Sequence, residues 1–239
     1  MTFLVITALA SVVAGAIASV AGFGIGSVLT PLFILRYDVK LAVAAVAIPH
    51  VVCTVVRFWR LRGDLDPHVL RTFGLASAAG GLSGAVLQRY VPTTGVTYVL
   101  ASLLIFVGII NLTGMSQRLR FGRATGWVAG ALSGLLGGLV GNQGGIRSAG
   151  LLAYDVRPAA FVATATAVAL IVDGVRLPVY LIADGAALRQ MTPLIAAATI
   201  GGVVGTLAGE PILRRISPAV FRTLVGALLV LLGVYMFTR

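Results

Sequence analysis

The chain has 239 residues, 59% hydrophobic and 10% charged, with a formal net charge of +11 and a mean hydropathy of +1.04. A soluble domain carries about 25% charged residues, so this composition excludes a water-covered globule and leaves an all-α polytopic membrane protein. A β-barrel would alternate in segments of about ten residues, whereas the charge-free runs 1–35 and 124–146 exceed the ~20 residues that a membrane-spanning helix needs. The basic residues fall in short loops between apolar runs. That pattern fits membrane topology and lipid headgroups and argues against nucleic acid as a partner. Cys53 is the single cysteine, so no intrachain disulfide forms. With only two histidines beside it, a metal cluster has too few ligands. No cofactor is implied.

In chain order, the opening segment MTFLVITALASVVAGAIASVAG carries Ala16-Ile17-Ala18, which resembles a signal-peptidase site, but it lacks a positive n-region. A similar segment recurs mid-chain, so the expectation is that it belongs to the mature protein. Apolar segments follow at about 2–21, 24–35, 41–59, 69–88 and 95–113, then at about 126–138, 143–153, 158–182, 190–209 and 219–238. AGAIASVAGFGIG (14–26) resembles AGALSGLLGGLVG (129–141) at a spacing of 115, and YDVKLA (37–42) resembles YDVRPA (154–159) at 117. RFWRL (57–61) sits opposite DGVRL (173–177) at 116, and GGLSG (80–84) opposite GGVVG (201–205) at 121. Four anchors in one order predict an internal duplication: a first transmembrane repeat over 1–113, a basic linker over 114–125, and a second repeat over 126–239. Each repeat is expected to hold about four full spans plus one short broken or re-entrant helix. Internal repeats of this kind are common in secondary transporters.

Charge bias bears on topology. Leaving aside Arg57, Arg147 and Arg176, 15 of the 18 Lys and Arg lie in loops or at ends. Four crossings per repeat divide these eight to seven, which carries no signal. Five elements per repeat divide them ten to five: Arg60, Arg62, Arg71, Arg118, Arg120, Arg123, Arg157, Arg214, Arg215 and Arg222 share one side. The odd count also inverts the second repeat and places both termini outside the cytoplasm.

Glycine is costly inside a helix. The stretches GFGIGS (22–27) and GNQGG (141–145) fall at matching places in the two halves. They predict helix breaks, which membrane depth tolerates only where they are buried or line a wet cavity. A helix restarting after a break presents free N–H groups and a partial positive charge. Two such restarts facing one another would form an anion site, with Gly24, Gly26 and Ser27 on one side and Asn142, Gln143, Gly144 and Gly145 on the other. The plainer reading of these glycines is tight helix crossing, as for the four-residue spacings Ala76-Gly80-Gly84 and Ala197-Gly201-Gly205-Gly209.

Arg147 follows the second break. A charge deep in a span costs about 2.5–3.5 kcal/mol on insertion scales, and snorkelling or an ion pair is the plainer way to offset it. His50, Thr54 and Arg57 share one helical face, and Asp173 and Arg176 are i, i+3 neighbours able to pair. Arg57, Arg147 and Arg176 are therefore candidate sources of positive charge for the site, with Asp173 as an orienting group and His50 as a coupling group. Arg57 with Trp59 and Arg60 also reads as an interfacial anchor, and His50 as a satisfied buried histidine. Ser133 in GALSG with His50 is the one pair that could serve intramembrane serine catalysis.

GFGIGSVLTP, IPHVVCTVVRFWRLRGD, GNQGGIRSAGLL and FVATATAVALIVDGVRLPVYL resemble the TauE/SafE sulfite exporter family, and the resemblance covers nearly the whole chain. The resemblance implies a multi-pass carrier of bacterial or archaeal inner membranes with a duplicated helical core. It also implies a small anionic substrate such as sulfite, thiosulfate, a sulfonate or a carboxylate. Many relatives carry a three-glycine run followed by proline in both repeats. Here the first repeat reads Gly24-Ile25-Gly26, and the second has Asn142-Gln143. The expected partners are the substrate anion, the bilayer and, as an option, further copies of the chain. An anion channel and an intramembrane protease are the alternatives.

Overall fold

The computed structural model describes every residue except 116–124, 152–153, 155–156, 214–216 and 239. All regular structure among the described residues is helical. The order is α1 (Thr2–Ala21), α2 (Ile25–Ile34), α3 (Val39–Leu61), α4 (Pro67–Val69), α5 (Leu75–Tyr90), α6 (Thr93–Thr113), α7 (Thr125–Val140), α8 (Gly144–Leu151), α9 (Pro158–Gln190), α10 (Thr192–Leu213) and α11 (Pro218–Phe237). A π-helical turn, Leu70–Gly74, joins α4 to α5. Four helical stretches are long and apolar enough to cross a membrane: Thr2–Val20, Val39–Asp64, Thr93–Thr113 and Ala159–Gln190. The shorter apolar helices lie at Ile25–Ile34, Gly126–Val140, Thr192–Ala208 and Arg222–Phe237. Most of the expected linker, and the DVR part of YDVRPA apart from Arg157, lie outside the described residues.

The glycine-broken runs turn back on themselves. Helix α1 ends at Gly22, whose φ of 76° is left-handed and whose N–H donates to Ala18 C=O at 3.0 Å. Gly24, at φ 145°, then starts α2. Both conformations favour a residue without Cβ. Helix α2 returns beside α1, since the Arg36 guanidinium lies over the Phe3 ring at 4.6 Å. Helix α7 ends in the same way at Gly141, φ 73°, with its N–H on Gly137 C=O at 3.1 Å. Helix α8 returns along it: a Cβ on Gly150 would lie 2.9 Å from Ala129 Cβ, and Tyr154 packs against Gly126. Each broken run is thus a helical hairpin that re-enters and leaves at one end of the bundle.

Contacts between loops fix the remaining directions. Lys40 Nζ donates to Arg89 C=O at 3.4 Å, and Tyr98 stacks on Phe237 at 5.6 Å between ring centroids. These place the starts of α3 and α6 and the ends of α5 and α11 at the end holding Phe3 and Arg36. At the opposite end Asp66 N–H donates to Thr164 Oγ1 at 3.0 Å, and Thr72 Oγ1 to Tyr154 Oη at 3.2 Å. By continuity of the chain the end of α6, the start of α7, the end of α10 and the start of α11 fall at that second end. So do Arg60, Arg62, Arg71, Arg157 and Arg222, the described members of the ten basic residues of the five-element reading.

Packing pairs α1 with α10, α5 with α7, α6 with α11 and α3 with α9. Small residues bring backbones together, as they do in lipid-embedded bundles. A Cβ on Gly15 would strike Gly202 C=O, and one on Gly84 would strike Leu135 C=O. The α6–α11 contact is reciprocal: Gly108 faces Gly226 and Val230, while Gly233 faces Ala101 and Ile105.

Candidate functional site

The tips of the two hairpins meet. A Cβ on Gly26 would lie 2.5 Å from the Gly141 carbonyl oxygen, and one on Gly144 would run into the Phe23 side chain. Helix α3 passes the junction at His50, which is eleven residues from either end of that helix (50 − 39 and 61 − 50). The junction is therefore about half-way through the bundle.

Both short helices begin here. Their first intrahelical bonds are Val28 N–H to Gly24 C=O at 3.0 Å and Arg147 N–H to Gln143 C=O at 2.9 Å. The N–H groups of 25–27 and 144–146 consequently have no carbonyl one turn back, and both positive dipole ends face the junction. No side chain caps α2. A small cavity lies between the tips. Gly24, Gly26 and Ser27 line it from the first hairpin, and Asn142, Gln143, Gly144 and Arg147 from the second. His50 and Arg176 complete the wall from α3 and α9. Its water-accessible space is about 10 Å³, roughly the volume one water requires.

Several polar atoms around this cavity are buried without a partner. They are Asn142 Nδ2, Gln143 Nε2 and Oε1, and Arg147 Nε and Nη1. Asn142, Gln143 and Arg147 are 4%, 5% and 2% exposed. A buried donor without an acceptor costs about 1–3 kcal/mol, so four N–H-bearing atoms collected in one place suit an acceptor-rich ligand. Arg147 Nη2 is already engaged, donating to Gly22 C=O at 2.7 Å and joining the two hairpins.

Charge is unbalanced in the same sense. Arg57, Arg147 and Arg176 are buried, and Asp173 is the one buried acid among the described residues. Asp173 Oδ1 accepts from Arg176 Nε at 2.9 Å and lies 2.8 Å from its Nη2. Asp173 Oδ2 lies 2.6 Å from His50 Nδ1. An ionised carboxylate only accepts, so Nδ1 carries the proton and Nε2 is the free ring nitrogen of His50. Three arginines against one aspartate leave two positive charges in surplus.

Not every sequence candidate lines the cavity. Gly145 faces Val107 on α6 instead. Asp173 stands behind His50 and Arg176. Arg57 reaches the first hairpin from outside, donating Nη1 to Ala18 C=O at 2.5 Å. Arg176 makes the same contact with the second hairpin, Nη1 to Gly137 C=O at 2.7 Å. Arg176 stands 119 positions after Arg57, and Gly137 stands 119 after Ala18. The left-handed caps Gly22 and Gly141, and the starts of α2 and α8, keep that same spacing. The letter matches at 115, 116 and 117 are therefore out of register with the geometry: RFWRL against DGVRL sets Arg60 opposite Arg176, while the contacts set Arg57 there. In the structural register Thr54 stands where the second half has Asp173, so the acid belongs to one half alone.

Sequence reasoning missed two side chains, Tyr180 and Gln88. Tyr180 Oη donates to Gly138 C=O, and Gln88 Nε2 to Leu139 C=O at 2.7 Å. Their burial in apolar helices was the available signal. Ser133 is buried with Oγ 3.5 Å from Gln143 C=O. No hydrogen bond joins Ser133 to His50 among the described residues, and the His50 nitrogen facing the protein is occupied by Asp173, so the geometry assembles no Ser-His pair.

A sequence model of one protein family, described as Sulfite exporter TauE/SafE, matches residues 7–236, nearly the whole chain. No curated protein and no solved structure matches.

Proposed function

Since the chain belongs to the TauE/SafE sulfite exporter family, a family of multi-pass membrane transporters, we propose that it is a secondary carrier of sulfite or an organosulfonate bound between its two hairpin tips. The observation that carries this reading is the set of unpartnered buried donors of Asn142, Gln143 and Arg147 facing two helix N-termini. Three oxygens on a sulfur atom offer acceptors in several directions at once. The donor set and the surplus of positive charge both favour such a ligand. Gly24, Gly26, Ser27 and Gly144 supply close backbone approach, and Gly145 and Arg57 support the site from behind. Asp173 orients Arg176 and His50, and the free Nε2 of His50 is the group available for proton coupling.

The constant spacing of 119 and the reciprocal helix pairs support two inverted repeats, 1–113 and 126–239, joined by the basic linker 114–125. The ten basic residues that the five-element reading assigns to one end support a cytoplasmic location for that end, with both termini across the inner membrane of a bacterial or archaeal cell. Export of an anion from a negative interior is then driven by the membrane potential, so proton movement through His50 is an added control and not a requirement. Space for about one water at the junction favours a carrier, whose hairpins part to admit substrate, over an open anion channel. Purified protein in liposomes is expected to show saturable sulfite uptake with counterflow. A linear, non-saturating anion current would refute the carrier.

A further inference from the structure

The two hairpin tips are held very differently. A helix leaves its last four carbonyls without intrahelical partners. In α7 the Gly141 N–H serves Gly137 C=O at 3.1 Å, and a side chain reaches each of the Gly137, Gly138 and Leu139 carbonyls. Arg176 takes Gly137 at 2.7 Å, Tyr180 takes Gly138, and Gln88 takes Leu139 at 2.7 Å. Two of these donors come from α9 and one from α5, so the tip is fixed from two directions. Gln88 and Tyr180 are 3% and 1% exposed, and a polar group buried in an apolar setting is costly unless it is hydrogen-bonded.

The α1 tip has no comparable set. Among the described residues, Arg57 on Ala18 and Arg147 on Gly22 are its side-chain hydrogen bonds from other helices. Val20 beside it is 38% exposed, whereas Val140 at the end of α7 is fully buried. In the 119 register Leu61 stands in place of Tyr180 and Thr54 in place of Asp173, so the first half lacks both groups.

We propose that Gln88 and Tyr180 are positioning residues that fix the second hairpin as the stationary half of the anion site, so that the first hairpin is the half that moves. The inference rests on the carrier reading for its transport consequence and on geometry alone for its structural one. Held carbonyls keep the start of α8, and with it Asn142, Gln143 and Arg147, in one orientation. The first hairpin, tied by two arginines, swings away when Arg147 exchanges Gly22 C=O for an anion oxygen.

The test is hydrogen–deuterium exchange of the full chain in lipid nanodiscs, read beside sulfite transport in liposomes. Segment 137–146 is expected to exchange at least tenfold more slowly than segment 18–27. Tyr180→Phe and Gln88→Leu, made separately, are each expected to speed exchange in 137–146 and leave 18–27 unchanged, which also reports that the variant is folded. Each is expected to raise the KM for sulfite about three- to tenfold with kcat nearly intact, the mark of a displaced binding group. Arg57→Gln is expected to do the reverse, speeding exchange in 18–27 and altering kcat. Equal exchange in the two tips, or no response of 137–146 to either variant, overturns the proposal. Failure of the unaltered protein to transport sulfite counts against the carrier reading and leaves the exchange result standing.

Discussion

Replacing Asp173 with asparagine isolates what the buried charge network contributes. Asp173 is fully buried and Arg176 2% exposed. One oxygen of Asp173 meets two Arg176 nitrogens at 2.9 and 2.8 Å, and the other meets His50 at 2.6 Å. Asparagine keeps the size and one acceptor but leaves Arg176 without a counter-charge. Breaking a buried pair by removing one partner costs about 3–5 kcal/mol. The retained acceptor places this substitution near the lower figure, about 3 kcal/mol. Arg176→Gln alone is also destabilising, because Asp173 is left buried without its counter-charge and Gly137 C=O keeps only the Gly141 N–H. The double variant, Asp173→Asn with Arg176→Gln, leaves no member of this pair stranded, so its loss is expected to fall short of the sum of the single losses by about 1–3 kcal/mol. Reversible unfolding in mixed detergent micelles measures all four proteins. A loss below about 1 kcal/mol for Asp173→Asn, the range of an exposed pair, or strict additivity in the cycle, would refute the idea that Asp173 neutralises Arg176 in a dry interior.

Gly26→Ala is expected to abolish sulfite transport in liposomes, since its Cβ would sit 2.5 Å from Gly141 C=O, whereas Gly174→Ala, which meets open space, is expected to transport normally. Gly84→Ala drives a methyl into Leu135 C=O between α5 and α7, so unfolding in detergent is expected several degrees below the unaltered protein; an unchanged midpoint would contradict the close packing. Tags at both termini are expected to react with an impermeant label from outside intact cells, and labelling only after the membrane is opened would reverse the proposed topology.

Much of the site was legible because membrane interiors make certain residues expensive. Gly22–Ser27 and Gly141–Gly145 stood out as breaks in apolar runs, and both prove to be hairpin tips. The i, i+3 spacing of Asp173 and Arg176 pointed to a pair that the helix forms directly. Arg57 was harder, since an arginine two residues before Trp59 satisfies the pattern of an interfacial anchor; only the structure shows its Nη1 on Ala18 C=O. Tyr180 and Gln88 could not be found from pattern, because a carbonyl needing a cap belongs to a helix distant in sequence. Matching letters gave spacings of 115 to 121, because small residues recur in many places, whereas the turns at Gly22 and Gly141 stand 119 apart.

The central claim is that the facing hairpin tips bind a sulfur oxoanion through Asn142, Gln143 and Arg147. Titration of the purified protein with sulfite, thiosulfate, a sulfonate and a carboxylate, followed by calorimetry or thermal shift, tests it most directly. The account predicts saturable binding of a sulfur oxoanion that weakens about tenfold or more in Arg147→Ala, and by a smaller factor in Gln143→Ala. Unchanged affinity in both variants would place the anion elsewhere and contradict the account.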